Sequence, residues 1–504
     1  SRKTWFKFVM KDLLQSFAPK MPPITQQERG ELIQGCRFAT HTTIYDKNML
    51  SRVKFSNERK ADFSSNHKAL VKKLLLMSTP PPNVYNGAGI VISGGGAYMA
   101  GALTTIVQVR ETGSKLPIEL VLNSMKEYDS YICDTLGSKF NYTCLVIEEE
   151  IGKDIVEEMK ITKFQLKILG LLVTSFDHVI ALDADNMPLK NPDHLLTCKA
   201  YLDTEFLLWP DLWQRTISPT YYEIAGMKAG EPVKRHGLEN GKDFAEYFKK
   251  GRDHVHFHDL DGLPNHISTE TGQMVFSKRK HYRSFLLALY YNMYGESHYW
   301  SMFYQGSPGD GDRDTFVPAL HVFKEPYHVV ERATWLAGFR REDNFFQETT
   351  IVQYDPNTSM TYDQLWKEWL MIKGYDLRMH FNQDNQYTRD LVKEFHALTH
   401  AVPEPEVFFL HVHRPKVNPI LATHSDGYFD WNRQRNLGKV GVYTKDFGNI
   451  DWDLRFYTIA EWVACKGIKS DEWWKSVDRV QSLVCEAMSA YVNFLKKDTQ
   501  DEEA

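Results

Sequence analysis

Two aspartates that directly follow a short apolar stretch of this sequence have the spacing of a metal site. In "HVIALDADNMPLKNP" (178–192), four apolar residues lead into Asp183 and Asp185. Residues two apart in an extended segment point to the same side, so the two carboxylates can converge. Hard oxygen donors suit Mg²⁺ or Mn²⁺, and such a cation could neutralise a diphosphate. The alternative interpretation is a polar turn after a strand, with Asn186 and the two prolines as turn formers.

Three further acidic residues are candidates for a catalytic role. Glu270 lies in "ETGQ" before a predicted strand, and "GDGDRDTF" carries Asp312 and Asp314 where a helix is predicted to begin. A carboxylate can stabilise positive charge that develops in a transition state. Asp314 is the first catalytic candidate and Glu270 the second, with Asp312 beside them. The alternative for Asp314 is a helix cap, a position in which aspartate is common.

An alternation of strands and helices is predicted to position these residues. Predicted strands are "AGIVIS", "LPIELVL", "YTCLVIE", "HVIAL", "GQMVFSK" and "EVFFLHVH", and helix-like segments lie between the early ones. This order predicts an α/β protein with a parallel or mixed sheet. In such sheets ligands bind outside the carboxyl ends of the strands, where Asp183 and Asp185 are expected.

The chain divides into three predicted regions. Residues 1–80 are expected to form a helical N-terminal region, including the amphipathic stretch from Gln26 to Val53. The run "STPPPN" is typical of a linker. Residues 84–425 form the predicted catalytic domain, and residues 426–504 a Trp-rich, helical C-terminal extension.

Composition and charge exclude several classes of protein. Apolar residues make up 42% and charged residues 25% of the 504 residues, which is typical of a globular protein. A net charge of -5 and the absence of a Lys/Arg run argue against nucleic-acid binding. No apolar run reaches the roughly 18–20 residues that span a bilayer, so membrane attachment is expected only through an anchor upstream of this chain.

The six cysteines form no CxxC motif, which argues against a zinc ribbon. Cys133 and Cys144 lie close in sequence, as do Cys465 and Cys485. Both spacings permit local disulfides, and buried free thiols are the alternative for each pair.

The motifs around the paired aspartates carry a resemblance to known enzymes. "VIALDADNMPLKNPDHLL" resembles the DxD motif with which GT-A-type glycosyltransferases hold a nucleotide-sugar diphosphate through Mn²⁺. Over residues 84–420 the chain is similar to the fungal Golgi α-mannosyltransferases that branch N-glycan mannan with α-1,2-linked mannose. The motifs that carry this similarity are, in chain order, "GIVISGGGAYMAGALTTIVQVRETGSKLPIELV", "LKILGLLVTSFDHVIALDAD", "WPDLWQRTISPTYYEIAG", "STETGQMVFSKRKHY", "GDGDRDTFVPALHVFKEPYHVV" and "FFLHVHRPKVNP".

The resemblance implies a GT-A-type mixed sheet flanked by helices and a retaining transferase that moves mannose from GDP-mannose to a mannose hydroxyl. It implies Mn²⁺ or Mg²⁺ as cofactor and an oligomannoside or mannoprotein as acceptor. It also implies the Golgi lumen, with the full-length protein a type II membrane protein. Guanine and mannose rest on the resemblance alone, because no local residue indicates them.

The resemblance also assigns roles to individual residues. It implies a metal site of Asp183, Asp185 and His411, for which His413 is the competing histidine. The residues implied for donor binding are Gly94, Gly95, Tyr98, Lys167, Asp183, Asp185 and Lys416. Glycines let the backbone approach a ligand closely, and the ring of Tyr98 could stack on a nucleobase. The alternative for Tyr98 is a core aromatic residue.

Aromatic faces beside a carboxylate suit a sugar acceptor, and "LLWPDLWQR" offers this combination. The acceptor-binding candidates are Trp209, Asp211, Trp213 and, from "ETGQ", Gln273. A buried aromatic cluster is the alternative for both tryptophans.

Other functions compete with this interpretation. The enzyme could form an α-1,3 linkage or use another nucleotide sugar, and an inactive relative could merely bind glycans. A lipase-like hydrolase is excluded because the chain has no Gly-x-Ser-x-Gly motif. A P-loop nucleotide site is excluded in the same way, since no GxxxxGK[ST] is present.

Overall fold

The computed structural model of the protein describes residues 1–35, 43–233, 249, 251–375, 386–398, 403–423, 434–438 and 442–503. The strands are β1 (Ala88–Ser93), β2 (Ile118–Leu122), β3 (Tyr142–Val146), β4 (His178–Leu182), β5 (Asn186–Pro188), β6 (Phe206–Gln214), β7 (Ile267–Ser277), β8 (His328–Val329), β9 (Trp335–Arg340), β10 (Phe346–Tyr354) and β11 (Val407–Val412).

The α-helices are α1 (Arg2–Lys7), α2 (Gln26–Arg29), α3 (Asn57–Leu76), α4 (Met99–Glu111), α5 (Gly137–Phe140), α6 (Ile147–Ile151), α7 (Lys153–Glu158), α8 (Lys163–Val173), α9 (Lys199–Thr204), α10 (Pro219–Ala225), α11 (Tyr282–Met293), α12 (Trp300–Phe303), α13 (Phe316–Phe323), α14 (Pro356–Ile372), α15 (Gln386–Leu398), α16 (Pro419–Ala422), α17 (Thr444–Phe447), α18 (Trp452–Trp462), α19 (Asp471–Ser476) and α20 (Gln481–Glu503). Short 3₁₀ or π-helical turns cover Phe8–Leu14, Gln15–Phe17, Gly96–Tyr98, Met125–Glu127, Tyr131–Leu136, Pro192–Leu196, Arg252–His254, Phe257–Asp259, Gly295–Tyr299 and Val463–Gly467.

A seven-stranded mixed sheet forms the centre of the fold. Its strand order is β3-β2-β1-β4-β7-β6-β8. Strands β3, β2, β1 and β4 are parallel, whereas β7 runs antiparallel to both β4 and β6. The central strands are continuous apolar runs rather than alternating ones, because helices cover both faces of the sheet. The predicted α/β fold, with a mixed sheet flanked by helices, is confirmed.

A second, four-stranded sheet has the order β5-β11-β10-β9, and its neighbouring strands are antiparallel. The chain passes from the large sheet to this one at the paired aspartates, because β4 ends at Leu182 and β5 begins at Asn186. On the next strand, β11, His411 lies opposite Asn186. The junction of the two sheets therefore brings the late histidine to the two aspartates.

The N-terminal helices pack onto the same hydrophobic core as one face of the large sheet. Phe6, Leu13 and Leu14 are fully buried in this core. Of the predicted helix from Gln26 to Val53, the described residues 26–35 and 43–53 form only the single α-helical turn α2. A side chain at Gly30 would clash with the carbonyl oxygen of Arg52, and the chain turns there instead.

The C-terminal helices α18 and α20 pack on the other core of the large sheet. Both cysteine pairs form disulfides, Cys133 with Cys144 and Cys465 with Cys485, and Cys198 is a buried thiol.

Across the described ranges, no helix combines the length and the hydropathy needed to cross a membrane. The predicted region boundaries at residues 80 and 425 stay predictions.

Candidate functional site

Three side chains from different elements meet where the two sheets join. Asp183 follows β4, and its backbone N–H donates to the carbonyl oxygen of Gly272 on β7 at 2.8 Å. The Asp185 Oδ1 atom lies 3.2 Å from Nε2 of His411. Asp183, Asp185 and His411 each offer one ligand atom, and these atoms lie within 4.8 Å of one another. Two carboxylates and an imidazole fit a divalent cation such as Mn²⁺.

Two lysines compensate the charge of these aspartates. Lys167, on α8, places its Nζ atom 2.9 Å from Asp183 Oδ1 and 3.3 Å from Asp312 Oδ2. Lys416 contacts Asp185 directly. Burial opposes a charge on Asp185, but His411 and Lys416 outweigh it and hold the pKa of Asp185 well below its usual value. The opposite holds for Asp183, whose pKa is raised by burial and by the neighbouring Asp185 despite the Lys167 contact.

Glu270 is the second carboxylate in contact with His411. Its Oε2 atom lies 3.5 Å from His411 Nδ1, and its Oε1 atom accepts the backbone N–H groups of Thr271 and Gly272. Burial opposes the charge of Glu270, yet His411 and the Gly272 N–H group lower its pKa to about 2. Glu270 is therefore a fixed carboxylate beside the aspartate pair.

Gly272 is a site residue that the sequence interpretation missed. A Cβ atom at this position would lie 2.9 Å from Cε1 and Nδ1 of His411, so a side chain would displace the imidazole. The available signal was a glycine inside a predicted strand, which often marks the close approach of another group.

His413, the competing histidine, lies outside this group of ligands. β11 ends at Val412, and the backbone N–H of His413 donates to the carbonyl oxygen of Thr349 at 3.0 Å. In a continuing strand residues 411 and 413 would share a face. Because the strand ends between them, the two rings stand 6.5 Å apart and nearly perpendicular. Burial and the nearby His411 lower the pKa of His413 to about 4.

The acidic loop presents only one of its two candidate aspartates to this cluster. Asp312 accepts a hydrogen bond from the Thr271 hydroxyl at 3.1 Å and lies beside Lys167. Asp314 is fully buried, and its carboxylate contacts Arg215, Arg313 and the Ser268 hydroxyl. It does not cap the following helix α13, whose N-cap residue is Thr315. Asp312 therefore faces the aspartate pair, whereas Asp314 belongs to an enclosed ion-pair network.

Asp314→Asn is expected to destabilise the fold by about 3–5 kcal/mol, because it leaves the buried Arg215 without its charged partner. Chemical denaturation measures this change. Asp203→Asn, at a carboxylate that is half exposed, is the matched control. A variant with wild-type stability but no turnover would instead place Asp314 at the reacting sugar.

The acceptor-binding candidates lie in different environments. Trp209 is fully buried, and its indole N–H donates to the Tyr354 carbonyl oxygen at 2.8 Å. It is thus the buried aromatic residue of the alternative interpretation, since β6 is an interior strand of the large sheet. Gln273 is also buried, and its side-chain oxygen accepts a hydrogen bond from the Asn186 amide at the start of β5. It therefore links β7 to β5 and is not exposed to an acceptor.

Asp211 and Trp213 lie nearer to the acidic loop. Asp211 Oδ2 is 3.2 Å from Arg313 Nη1. Burial and the charge of Glu270 raise the pKa of Asp211 to about 6, against the effect of Arg313. Trp213 is half-buried, and its indole nitrogen lies 3.5 Å from the position that a Cβ atom of Gly309 would take. Both residues therefore border the loop that carries Asp312.

The glycine-rich loop after β1 brings an exposed aromatic ring to the site. Gly95 has a φ of 110°, and a Cβ atom there would lie 2.3 Å from the Glu127 carboxylate. A Cβ atom at Gly94 would lie 2.7 Å from the Leu120 side chain. Packing against other residues of the protein therefore requires both glycines, whether or not a ligand approaches them. Tyr98, directly before α4, is 56% exposed.

Asn418 fixes this loop beside Lys416, and the sequence interpretation missed it. Its side-chain amide donates to the Ala97 carbonyl oxygen at 2.9 Å, and its Oδ1 atom caps helix α16. An asparagine before proline gave a capping signal but no indication of the contact with the loop.

The chain is similar in sequence to known mannosyltransferases. The family model Mannosyl_trans3, described as "Mannosyltransferase putative", matches residues 87–355, which include both aspartates but not His411. Alpha-1,2-mannosyltransferase MNN26 of Candida albicans is 40% identical, in an alignment that covers 100% of this chain and 70% of the relative. Alpha-1,2-mannosyltransferase MNN5 of Saccharomyces cerevisiae S288c is 29% identical, with 96% and 88% covered. The family match spans more than half of the chain and the first relative all of it, so this chain belongs to the Mannosyl_trans3 family of mannosyltransferases.

Proposed function

We propose that the protein is a cation-dependent α-mannosyltransferase that transfers mannose from GDP-mannose to a mannose hydroxyl and forms an α-1,2 linkage. The observation that carries this proposal is the convergence of Asp183, Asp185 and His411 at the junction of the two sheets. The named activity of the relatives supports the sugar and the linkage.

The donor is proposed to bind between this cluster and the glycine-rich loop. A divalent cation held by the two aspartates and His411 would supply positive charge to the diphosphate. Lys416, which contacts Asp185 and interacts electrostatically with Tyr98, adds a second positive charge. The exposed ring of Tyr98 offers a flat apolar face for the nucleobase.

Glu270 and Asp312 are proposed to act closest to the reacting carbon. Both lie one contact away from the aspartate pair, Glu270 through His411 and Asp312 through Lys167. With a pKa of about 2, Glu270 stays ionised at neutral pH and suits stabilisation of positive charge rather than proton donation. Transfer with retention could use a carboxylate nucleophile or a front-face route in which the leaving diphosphate accepts the proton. Asp314 is proposed to hold the loop in place.

The acceptor is proposed to lie on the side of Asp211 and Trp213, the two candidates that border the acidic loop. Trp213 can pack against a sugar ring, and Asp211 can accept hydrogen bonds from its hydroxyls.

The two disulfides suit an oxidising compartment, which supports the proposed location in the Golgi lumen.

A donor screen tests this function. Purified protein with Mn²⁺ is offered GDP-mannose, UDP-glucose, UDP-galactose or UDP-N-acetylglucosamine, and nucleotide release is measured with and without methyl α-mannoside. We expect release from GDP-mannose alone, accelerated by the acceptor. Preference for a UDP-sugar would support a different hexosyltransferase. No release from any donor would support a glycan-binding relative.

A further inference from the structure

A cavity lies at the opposite end of β11 from His411. It is lined by Leu189 and Lys190, which directly follow β5, and by Val407, the first residue of β11. Side chains that line it include Lys190, Arg332, Glu404, Glu406, Phe447 and Trp452. None of these residues belongs to the candidate metal site or to the glycine-rich loop.

Both cations that line this cavity are paired with carboxylates, and Asp446 adds a further carboxylate to the lining. Lys190 contacts Glu406 and lies 3.2 Å from Asp355, and Arg332 lies 3.5 Å from Glu404. A phosphate or nucleotide would therefore meet carboxylates as well as cations. A lipid chain would have to desolvate the same ion pairs, which is costly. The cavity favours a ligand that is neutral and rich in hydrogen-bonding groups.

The lining of the cavity combines features that suit a carbohydrate. The side chains of Glu404 and Glu406 are 41% and 56% exposed, so their carboxylates can reach a ligand at the rim. Phe447 and Trp452 are almost fully buried and give the cavity an apolar wall. A sugar ring combines hydroxyl groups for charge-assisted hydrogen bonds with apolar C–H faces that pack on such a wall.

The cavity is too far from the metal site to hold the same sugar residue. Val407 and His411 are four residues apart on one strand, which corresponds to about 13 Å. A single pyranose ring is shorter than this distance, whereas a polymeric acceptor can occupy both places.

We propose that this cavity is a second carbohydrate site that binds α-linked mannose residues of the acceptor, away from the residue that is being extended. This proposal rests on the proposed function, because the identity of the sugar comes from the acceptor. The cavity would hold a polymeric acceptor on the enzyme without taking part in the reaction.

The test compares a long and a short acceptor in a variant of the cavity rim. Glu404→Gln/Glu406→Gln removes both exposed carboxylate charges, and Glu149→Gln, at an exposed position on α6, is the matched control. We expect kcat/KM for α-linked mannohexaose to fall about tenfold, because two charge-assisted hydrogen bonds become weaker neutral ones, and kcat/KM for methyl α-mannoside to stay unchanged. Affinity for mannohexaose without donor, measured by calorimetry, should fall by a similar factor.

Glu406→Gln alone, at the more exposed carboxylate, should give a smaller change of the same kind if the double variant folds poorly. Equal loss for both acceptors, or no loss for either, would overturn the proposal. If the wild type transfers mannose to neither acceptor, the proposed function fails. The cavity site is then tested separately by calorimetry, and an unchanged affinity of the variant for mannohexaose would overturn it.

Discussion

Replacing Asp183 by asparagine is expected to reduce the rate of mannosyl transfer by a factor of about 10³ or more. The variant is expected to be at least as stable as the wild type. Activity is lost because the amide no longer supplies an anionic oxygen to the candidate cation site. Stability is kept because burial and the like charge of Asp185 disfavour the Asp183 carboxylate and raise its pKa. Removing that charge relieves a repulsion, although it also weakens the Lys167 contact.

Transfer from GDP-mannose and the thermal midpoint are measured together for this variant. Asp203→Asn, at an exposed carboxylate paired with Lys199 on α9, is the matched control and should match the wild type in both measurements. Retained transfer in Asp183→Asn would contradict the metal role. A large loss of stability would mean that Asp183 is chiefly a partner of Lys167.

Glu270→Gln is expected to reduce turnover by about 10²–10⁴-fold with little change in GDP-mannose affinity. Glutamine keeps an oxygen for the N–H groups of Thr271 and Gly272, so the local backbone should hold. What is lost is the negative charge beside His411, where the glycosyl cation is proposed to develop.

The turnover number, donor affinity and Mn²⁺ affinity of Glu270→Gln are compared with those of Asp312→Asn. A fall in turnover for Glu270→Gln alone would assign it the role nearest the reacting carbon. Wild-type turnover would remove Glu270 from the reaction. If Mn²⁺ affinity falls as much as turnover, Glu270 acts by orienting His411 and is a positioning residue.

The aspartate pair of the candidate metal site was predictable from the sequence because it is local, whereas His411 was indicated only by the family resemblance. A continuous apolar strand followed by two carboxylates places Asp183 and Asp185 at the carboxyl end of a buried strand, whatever the rest of the chain does. The four parallel strands were predicted for the same reason. By contrast, β9 and β10 carry mixed polar and apolar residues, and the pairing of β10 with β11 joins distant parts of the chain.

The choice between neighbouring residues of one type could not be made from the sequence. Asp312 and Asp314 stand two apart in a loop, and contacts with Arg215 and Ser268, both distant in the chain, make Asp314 the enclosed one. Trp209 and Trp213 are separated in the same way, by the register of β6 within the large sheet. His411 and His413 differ because β11 ends between them.

The most direct test of this account is the structure of the product formed from GDP-mannose and methyl α-mannoside, determined by two-dimensional NMR in parallel reactions with Mn²⁺ and with excess chelator. The account predicts a disaccharide in which the new mannose is α-linked to O2, formed with Mn²⁺ and absent with chelator. A β-linked product, release of free mannose only, or equal product in the presence of chelator would contradict it.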